Sequence, residues 1–161
     1  TENDICSFEI AKKLNIKDIA LSFASKAEDI VKLRQFFNYD INVTSKIESK
    51  KGVRNLKNIL DETDNILIDR GDLSKEVPLE LIPKMQKKII HISSQYKVPV
   101  YVATNLLESM VKSPEPTRAE INDIYNTLLD GANGLVLAAE TAIGKYPNRC
   151  IHMIIKVAKT I

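Results

Sequence analysis

The sequence is poor in the features that mark several functional classes. It has two cysteines in 161 residues, Cys6 and Cys150, and they lack the paired spacing of a redox motif or a zinc site. No apolar run approaches the roughly 20 residues of a membrane-spanning helix, and residues 1–10 lack the basic and apolar regions of a secretion signal. We therefore expect two reduced thiols, no membrane partner and a cytoplasmic location.

An excess of charge of one sign is also missing. The chain has 23 basic and 21 acidic residues, which gives a formal net charge of +2, and the charges are interspersed. A basic face for nucleic acid or for an anionic membrane is therefore not expected. The hydrophobic content of 44% is sufficient for the core of one ordinary domain, so we expect a single domain over residues 1–161.

Five short apolar runs, each followed by a segment with helical periodicity, organise the chain. The runs are residues 18–23, 41–47, 65–69, 99–103 and 134–139. Strands separated by helices must run parallel, with right-handed crossovers between them. The predicted fold class is therefore α/β, either an open doubly wound sheet or part of a closed (β/α)₈ barrel.

Local signals predict where three of the helices begin. Ser25 with Glu28, and Thr117 with Glu120, fit the capping-box pattern, in which the two side chains bond to backbone N–H groups at the helix start. Pro147 suits a first helical turn because its missing N–H would have no partner there.

Polar residues stand where the predicted strands end. Lys46 and Glu48 are two residues apart on the second run, so alternation along a strand places them on the same face. The next three runs end in residues 69–72, 103–105 and 139–141, which contain charged or hydroxyl side chains. Because the C-terminal ends of parallel strands carry the chemistry of such folds, we predict a polar site at this edge of the sheet.

Two acids at this edge suit a divalent cation. Glu48 and Asp72 follow neighbouring strands, and one carboxylate from each is what Mg²⁺ usually takes from protein. Lys46 would add positive charge for a phosphoryl group or an enolate. Gly71 lets the backbone come close, so the N–H groups of Gly71 and Asp72 can cradle a carboxylate, with the Thr104 hydroxyl nearby. From spacing alone, a Lys-x-Glu pair on a strand is more often a solvated pair or a salt bridge than part of a metal site.

Two long segments resemble the pyruvate kinase family. The segment INVTSKIESKKGVRNLKNILDETDNILIDRGDLSKEVP (41–78) is similar to the stretch between the Ser-Lys-Ile-Glu and Arg-Gly-Asp-Leu-Gly strands of that family. The second segment, VPVYVATNLLESMVKSPEPTRAEINDIYNTLLDGANGLVLAAETAIGKYP (98–147), contains Ala-Thr, Leu-Glu-Ser-Met, Pro-Thr-Arg-Ala-Glu, Asp-Gly-Ala and Glu-Thr-Ala. The resemblance is collinear and covers essentially the whole chain.

The resemblance implies a (β/α)₈ barrel that binds Mg²⁺ or Mn²⁺. It implies phosphoryl transfer between phosphoenolpyruvate and ADP, giving pyruvate and ATP. At matching positions, it implies that Glu48 and Asp72 are metal ligands. It also implies that Lys46 is the catalytic lysine that stabilises the phosphoryl group.

The same resemblance assigns roles to four further positions. Gly71 and the backbone of Asp72 would bind the substrate carboxylate, and Thr104 would help to deliver a proton to the enolate. Arg70 would be the family's structural arginine at the barrel mouth, and it is counted here among the substrate-binding residues. Arg118 falls in a segment that packs at a subunit interface in the family.

The matched region is the C-terminal part of the family's barrel, roughly strands four to eight. The resemblance implies that three strands, the lid domain and the regulatory domain have no counterpart here, nor do the nucleotide-clamping groups and the K⁺ site. Five strands cannot close such a barrel, so runs 18–23 and 134–139 would form unpaired edges. We expect the missing barrel half, a second copy in a homo-oligomer or a rearranged helix to cover them.

Several positions depart from the family's pattern. They are Asp69 in place of a small residue, Ser74 in place of glycine, Asn105 in place of glutamine, Glu115 in place of arginine, and Ala138-Ala139 in place of Ser-Gly. A negative charge at Asp69, close to anionic substrate groups, is expected to weaken substrate binding unless a metal or Arg70 offsets it.

Three functions remain open at this point. The first is pyruvate kinase chemistry, and the second is a Mg²⁺-dependent lyase that acts on a pyruvate enolate. The third is a degenerate module with a regulatory or interaction role, which Asp69, Ser74 and the absent strands favour.

Overall fold

A computed structural model describes residues 2–161, without the side chain of Glu2. It contains one parallel sheet whose strands lie side by side in chain order. The strands are β1 (Asp18–Leu21), β2 (Asn42–Ile47), β3 (Asn65–Asp69), β4 (Val100–Ala103) and β5 (Gly134–Val136). Each falls within one of the five predicted runs, so the α/β prediction is confirmed.

Helices connect and flank these strands. They are α1 (Glu2–Lys13), α2 (Ala27–Phe36), α3 (Lys50–Arg54), α4 (Leu56–Leu60), α5 (Arg70–Glu76), α6 (Ile82–Gln95), α7 (Arg118–Leu129), α8 (Ala139–Ala142) and α9 (Pro147–Ala158). Short 3₁₀ turns occupy Leu79–Leu81 and Glu108–Val111. Within residues 2–161, none of the helices has the length and apolar character needed to cross a bilayer.

The sheet is open at both sides. Among the described residues, β1 pairs only with β2 and β5 only with β4. Because consecutive parallel strands are neighbours, right-handed crossovers place the connecting helices on one face. On β2, Val43, Ser45 and Ile47 are buried, whereas Thr44 and Lys46 are half-buried. The Lys46 side of the sheet is therefore the less covered face.

Two apolar clusters hold the helices against the sheet. The larger contains buried side chains of β2, β3, β4, α2, α4 and α6, among them Ile30, Ile47, Ile59, Ile66, Ile68, Ile89 and Val102. The smaller lies where α7 and α9 meet the chain after β4, and contains Leu106, Leu107, Met110, Ile124, Cys150 and Val157. Both cysteines are free thiols, with Cys6 exposed and Cys150 buried.

Helix α1 was not predicted from the sequence. Its apolar residues do not form a buried stripe, since Ile5 and Ile10 are exposed. Phe8 supplies its main aromatic contact, with ring centroids 5.2 Å from Phe36 and 5.9 Å from Phe37. Helix α1 is therefore stabilised by its packing on α2 rather than by a strong helical periodicity of its own.

The capping box at the start of α7 is confirmed. The Thr117 hydroxyl accepts a hydrogen bond from the Glu120 N–H at 3.2 Å, and the Glu120 carboxylate accepts from the Thr117 N–H at 2.7 Å. Pro147 is the first residue of α9, as predicted.

The capping box predicted for Ser25 and Glu28 is wrong. Helix α2 begins one residue later than that pattern requires, with Lys26 at the N-cap and no side-chain cap. The Ser25 hydroxyl instead donates to Asp29 Oδ2 at 3.4 Å. A side-chain partner one turn along the helix thus replaces the backbone partner that the pattern predicted.

Candidate functional site

Three carboxylates converge at the C-terminal edge of the sheet. Glu48 follows β2, Asp69 ends β3, and Asp72 lies in the first turn of α5. One ligand oxygen from each lies within 4.8 Å of the others. The structure therefore brings together Glu48 and Asp72, which were predicted to share a metal, and adds Asp69 to them.

The Glu48 carboxylate is buried and only partly satisfied. Its side chain is 1% exposed, and its Oε2 accepts a hydrogen bond from the Phe23 N–H at 2.5 Å. Its Oε1 lies 2.6 Å from Lys46 Nζ but receives no well-directed hydrogen bond from the residues that the structure describes. A buried oxygen of this kind, with two more carboxylates nearby, fits a divalent cation.

Lys46 lies between two of these acids. Its Nζ is 2.6 Å from Glu48 Oε1 and 3.4 Å from Asp69 Oδ2. Burial lowers the pKa of Lys46, but its close contacts with the Glu48 and Asp69 carboxylates outweigh burial and raise that pKa above its usual value. The lysine therefore provides a stable positive charge at the C-terminal edge of the sheet.

Asp69 has structural partners that the sequence did not reveal. Its Oδ1 accepts from the Thr104 hydroxyl at 2.7 Å and from the Asp72 N–H at 3.5 Å, which makes Asp69 the N-cap of α5. Burial raises the pKa of Asp69, but these hydrogen bonds and Lys46 outweigh burial and lower it. Lys46, rather than Arg70, is thus the cation that offsets the extra charge.

Residues 70–76 form helix α5, which the sequence did not indicate. Gly71 and Asp72 therefore lie in a helical turn, where the Asp72 N–H already has the Asp69 carboxylate as a partner. Asp72 Oδ1 accepts from Lys75 Nζ at 2.7 Å. Because Lys75 is an exposed side chain, this ion pair is weak and leaves Asp72 able to exchange partners.

Thr104 has an unusual backbone conformation. Its φ is +77°, and that of Asn105 is +57°. A β-branched residue in this left-handed region is strained, and such strain is concentrated at functional sites. The turn lies directly after β4, beside the carboxylates.

Arg70 and Gly71 both contact Thr104. Arg70 Nε and Nη2 donate to the Thr104 carbonyl at 3.0 and 2.6 Å, and Arg70 Nη1 donates to Asp123 Oδ2 at 2.7 Å. A Cβ added to Gly71 would lie 2.9 Å from Thr104 Cγ2. The roles of Arg70 and Gly71 in substrate binding stay predictions, but a larger residue at position 71 would force Thr104 to shift.

Two glutamates hold the chain that follows Thr104. Glu140 is 2% exposed and accepts from the N–H groups of Leu107 and Ala138 at 3.0 and 2.8 Å. Glu120 accepts from the N–H and hydroxyl of Ser109 at 2.8 and 2.6 Å. The sequence predicted Glu140 at the C-terminal edge of the sheet and Glu120 in a capping box. No sequence pattern indicated the hydrogen bonds of Glu140 with Leu107 or of Glu120 with Ser109.

Arg118 is exposed at the first position of α7, away from the carboxylates. It lines a shallow groove between α7 and α9, together with Tyr125 and Lys156. Its role at a subunit interface stays a prediction.

Comparisons with known proteins show the family to which the chain belongs. The family described as "Pyruvate kinase, barrel domain" matches residues 1–151. Pyruvate kinase from Thermotoga maritima is 44% identical, over 99% of this chain and 35% of its own length. Pyruvate kinase from Methanocaldococcus jannaschii is 43% identical, over 98% of this chain and 36% of its own length. The chain thus spans about a third of the length of the curated relatives that it matches, and it belongs to the pyruvate kinase family, within the barrel domain.

Proposed function

We propose that this chain provides the metal-binding and enolate-binding face for phosphoryl transfer between phosphoenolpyruvate and ADP. The observation that carries the proposal is the group of Glu48, Asp69 and Asp72 oxygens within 4.8 Å of one another, beside Lys46. The names of the relatives support the reaction class.

The carboxylates would hold Mg²⁺ or Mn²⁺ through Glu48 and Asp72, with Asp69 as a third available acid. A divalent ion there supplies Lewis-acid stabilisation of anionic oxygens. Glu48 fits this role because its Oε1 is buried and lacks a well-directed hydrogen bond from the described residues. Because the Glu48 side chain is buried, its carboxylate is held in place before any ligand binds.

Lys46 and Thr104 would act on the substrate. Lys46 keeps its positive charge because neighbouring acids raise its pKa, so it can stabilise charge on a transferring phosphoryl group. The Thr104 hydroxyl is oriented by its hydrogen bond to Asp69 at 2.7 Å. From that position it can help to deliver the proton that the enolate carbon receives.

The test is release of pyruvate from phosphoenolpyruvate, measured with and without Mg²⁺ and ADP. We expect a rate that needs both, and we expect Glu48→Gln and Lys46→Met to lower it at least about a hundredfold. The exposed residue Glu115 provides a control, since Glu115→Gln removes the charge of an acid that is not a member of the cluster. Equal background rates for the wild type, Glu48→Gln and Lys46→Met would show that the isolated chain is not an enzyme.

A degenerate module is the second candidate, and one observation favours it. The Asp69 carboxylate contacts the Asp72 N–H, which was predicted to bind the substrate carboxylate. In that case Mn²⁺ would still bind, but no pyruvate would be released. Product formation that needs Mg²⁺ but not ADP would instead favour the lyase.

We also propose that another polypeptide or a second copy covers the open edges at β1 and β5. Unpaired edge strands present backbone groups that readily pair with another chain. Size-exclusion chromatography with light scattering measures this directly. A well-folded monomer at high concentration would contradict the homo-oligomer.

A further inference from the structure

Three consecutive residues each hold a different group of Thr104. Asp69 accepts the hydrogen bond of its hydroxyl at 2.7 Å, and Arg70 binds its carbonyl through two N–H groups at 2.6 and 3.0 Å. Gly71 lies against its methyl group, because a Cβ at position 71 would be 2.9 Å from Thr104 Cγ2. The tripeptide 69–71 therefore determines where the Thr104 side chain and backbone lie.

Every donor of the Arg70 guanidinium is engaged. A guanidinium has five N–H groups. Besides the two on Thr104, Arg70 Nη2 donates to the Asn105 carbonyl at 3.3 Å, and Nη1 donates to Asp123 Oδ2 and Gln86 Oε1 at 2.7 and 3.5 Å. All of these acceptors are protein groups, so a substrate would have to displace one of them to bind Arg70.

The turn that Arg70 binds needs support. Thr104 and Asn105 both have positive φ, at +77° and +57°. Residues in such conformations persist only where surrounding contacts over-determine them. The Arg70 hydrogen bonds to the two carbonyls of this turn provide that support, and Asp123 anchors Arg70 to α7.

We infer that Arg70, held by Asp123, is a positioning residue for Thr104 rather than a ligand of the substrate. This inference rests on the proposed function, in which Thr104 acts on the enolate. The pair links α7 to the turn after β4, because one guanidinium contacts both Asp123 and the Thr104 carbonyl. Lysine cannot replace the planar guanidinium of Arg70, since an ammonium group cannot make the same paired hydrogen bonds to one carbonyl.

The chain contains a matched control at the opposite end of the sheet. Arg34 Nε and Nη2 donate to the Glu62 carbonyl at 3.3 and 3.0 Å, and Nη2 also binds Asp64 Oδ2 at 2.7 Å. Its Nη1 donates to the Ile41 carbonyl at 2.7 Å. Arg34→Lys therefore removes paired hydrogen bonds to one carbonyl and weakens an ion pair, as Arg70→Lys does. Arg34, however, does not contact Thr104.

The experiment compares these variants in deuterium oxide with pyruvate and Mn²⁺. Exchange of the pyruvate methyl protons is followed by NMR, and Mn²⁺ affinity is followed by electron paramagnetic resonance. We expect Arg70→Lys and Asp123→Asn to lower the exchange rate by about tenfold to about a hundredfold, through misplacement of Thr104. We expect the Mn²⁺ dissociation constant to stay within about twofold of the wild type, since neither residue is a proposed metal ligand.

The controls are Arg34→Lys and Asp130→Asn, the latter breaking an α6–α7 ion pair to Lys87 at 2.5 Å. Both controls should keep the wild-type exchange rate. Equal loss of exchange in Arg34→Lys and Arg70→Lys would overturn the inference, because it would reflect general destabilisation. Unchanged exchange in both Arg70→Lys and Asp123→Asn would also overturn it.

An inactive wild type would defeat the proposed function, yet the positioning role would still be measurable. Backbone amide and carbon resonances of Thr104 and Asn105 report their φ angles directly. We expect Arg70→Lys and Asp123→Asn to shift these resonances strongly, and Arg34→Lys to leave them in place. Equal shifts in Arg34→Lys and Arg70→Lys, or no shifts in Arg70→Lys and Asp123→Asn, would overturn the inference.

Discussion

The N-terminal ends of the strands contain polar groups that are paired with one another. Asp64 Oδ2 accepts from Arg34 at 2.7 Å and from the Val43 N–H at 2.6 Å. Asn42 donates to Asp18 at 2.7 Å and accepts from Asn65 at 2.9 Å, which links three strands. These contacts join neighbouring elements at their starts, as expected for an end of the sheet that serves stability.

The C-terminal ends contain similar residue types with a different outcome. Three acids lie within 4.8 Å, and Glu48 Oε1 is buried without a well-directed hydrogen bond from the described residues. Thr104 adopts a strained positive φ beside them. The difference teaches that a charge cluster indicates function when its contacts leave like charges close together, not simply when it contains acids and an arginine.

The largest expected effect in stability lies at the N-terminal end. Asp64→Ala removes the acceptor of both the Arg34 guanidinium and the Val43 N–H. Loss of hydrogen bonds to a charged group is expected to lower the free energy of unfolding by about 1.5–3 kcal/mol. Urea denaturation measures this change, and Mn²⁺ affinity should stay constant. A loss of metal affinity would show that the two ends are not independent.

A smaller effect is expected for Gly71→Ala at the C-terminal end. The new Cβ would meet Thr104 Cγ2 at 2.9 Å. Overpacking costs about 1–3 kcal/mol, and up to about 1 kcal/mol is offset because alanine favours a helix more than glycine does. We expect a modest loss of stability in urea denaturation, with displaced Thr104 resonances.

Ser74→Ala is the control for Gly71→Ala, since it removes only the Ser74 hydroxyl bond to the Gly71 carbonyl at 2.8 Å in the same helix. It should leave the Thr104 resonances in place. Undisturbed Thr104 resonances in Gly71→Ala itself would contradict the steric role of the glycine.

The smallest effect concerns Glu120 and is seen as a dependence on pH. Burial raises the pKa of Glu120, but hydrogen bonds from Ser109 and Thr117 outweigh burial and lower it. A carboxylate with a depressed folded-state pKa stabilises the fold above its unfolded value of about 4.3, and this contribution is lost as pH falls through the folded pKa.

Glu120→Gln should therefore make stability less sensitive to pH in that acidic window, with a loss of about 0.5–1 kcal/mol near neutral pH. Thermal unfolding between pH 3 and pH 7, for the variant and the wild type, measures both effects. Parallel stability curves for the two proteins would show that Glu120 does not act in this way.

Periodicity was sufficient to predict the sheet, because strand-like runs and helical segments alternate regularly. It did not predict α1 or α5. Helix α1 packs through Phe8 on residues of α2, a tertiary contact that local sequence does not encode. Helix α5 is short and follows an N-cap, Asp69, whose preference for helix starts was the available signal.

The site was predicted in part. Alternation along β2 correctly predicted that Lys46 and Glu48 lie together, and their charged atoms are 2.6 Å apart. The position of Asp72 after the neighbouring strand correctly predicted that it lies close to Glu48. The contacts of Asp69 with Thr104 and Lys46 were missed, because they join residues on different strands. Strand register and loop conformation decide such contacts, and neither follows from spacing within one segment.

The most direct test of the account is a titration of the chain with Mn²⁺, followed by electron paramagnetic resonance. Wild-type protein should bind Mn²⁺ at a single site, and Glu48→Gln should weaken binding at least about tenfold, because it removes one carboxylate ligand. Asp64→Asn, an acid-to-amide change at the opposite end of the sheet, should bind as the wild type does. Equal affinities for Glu48→Gln and the wild type, or no binding by the wild type, would contradict the claim that Glu48, Asp69 and Asp72 form a metal site.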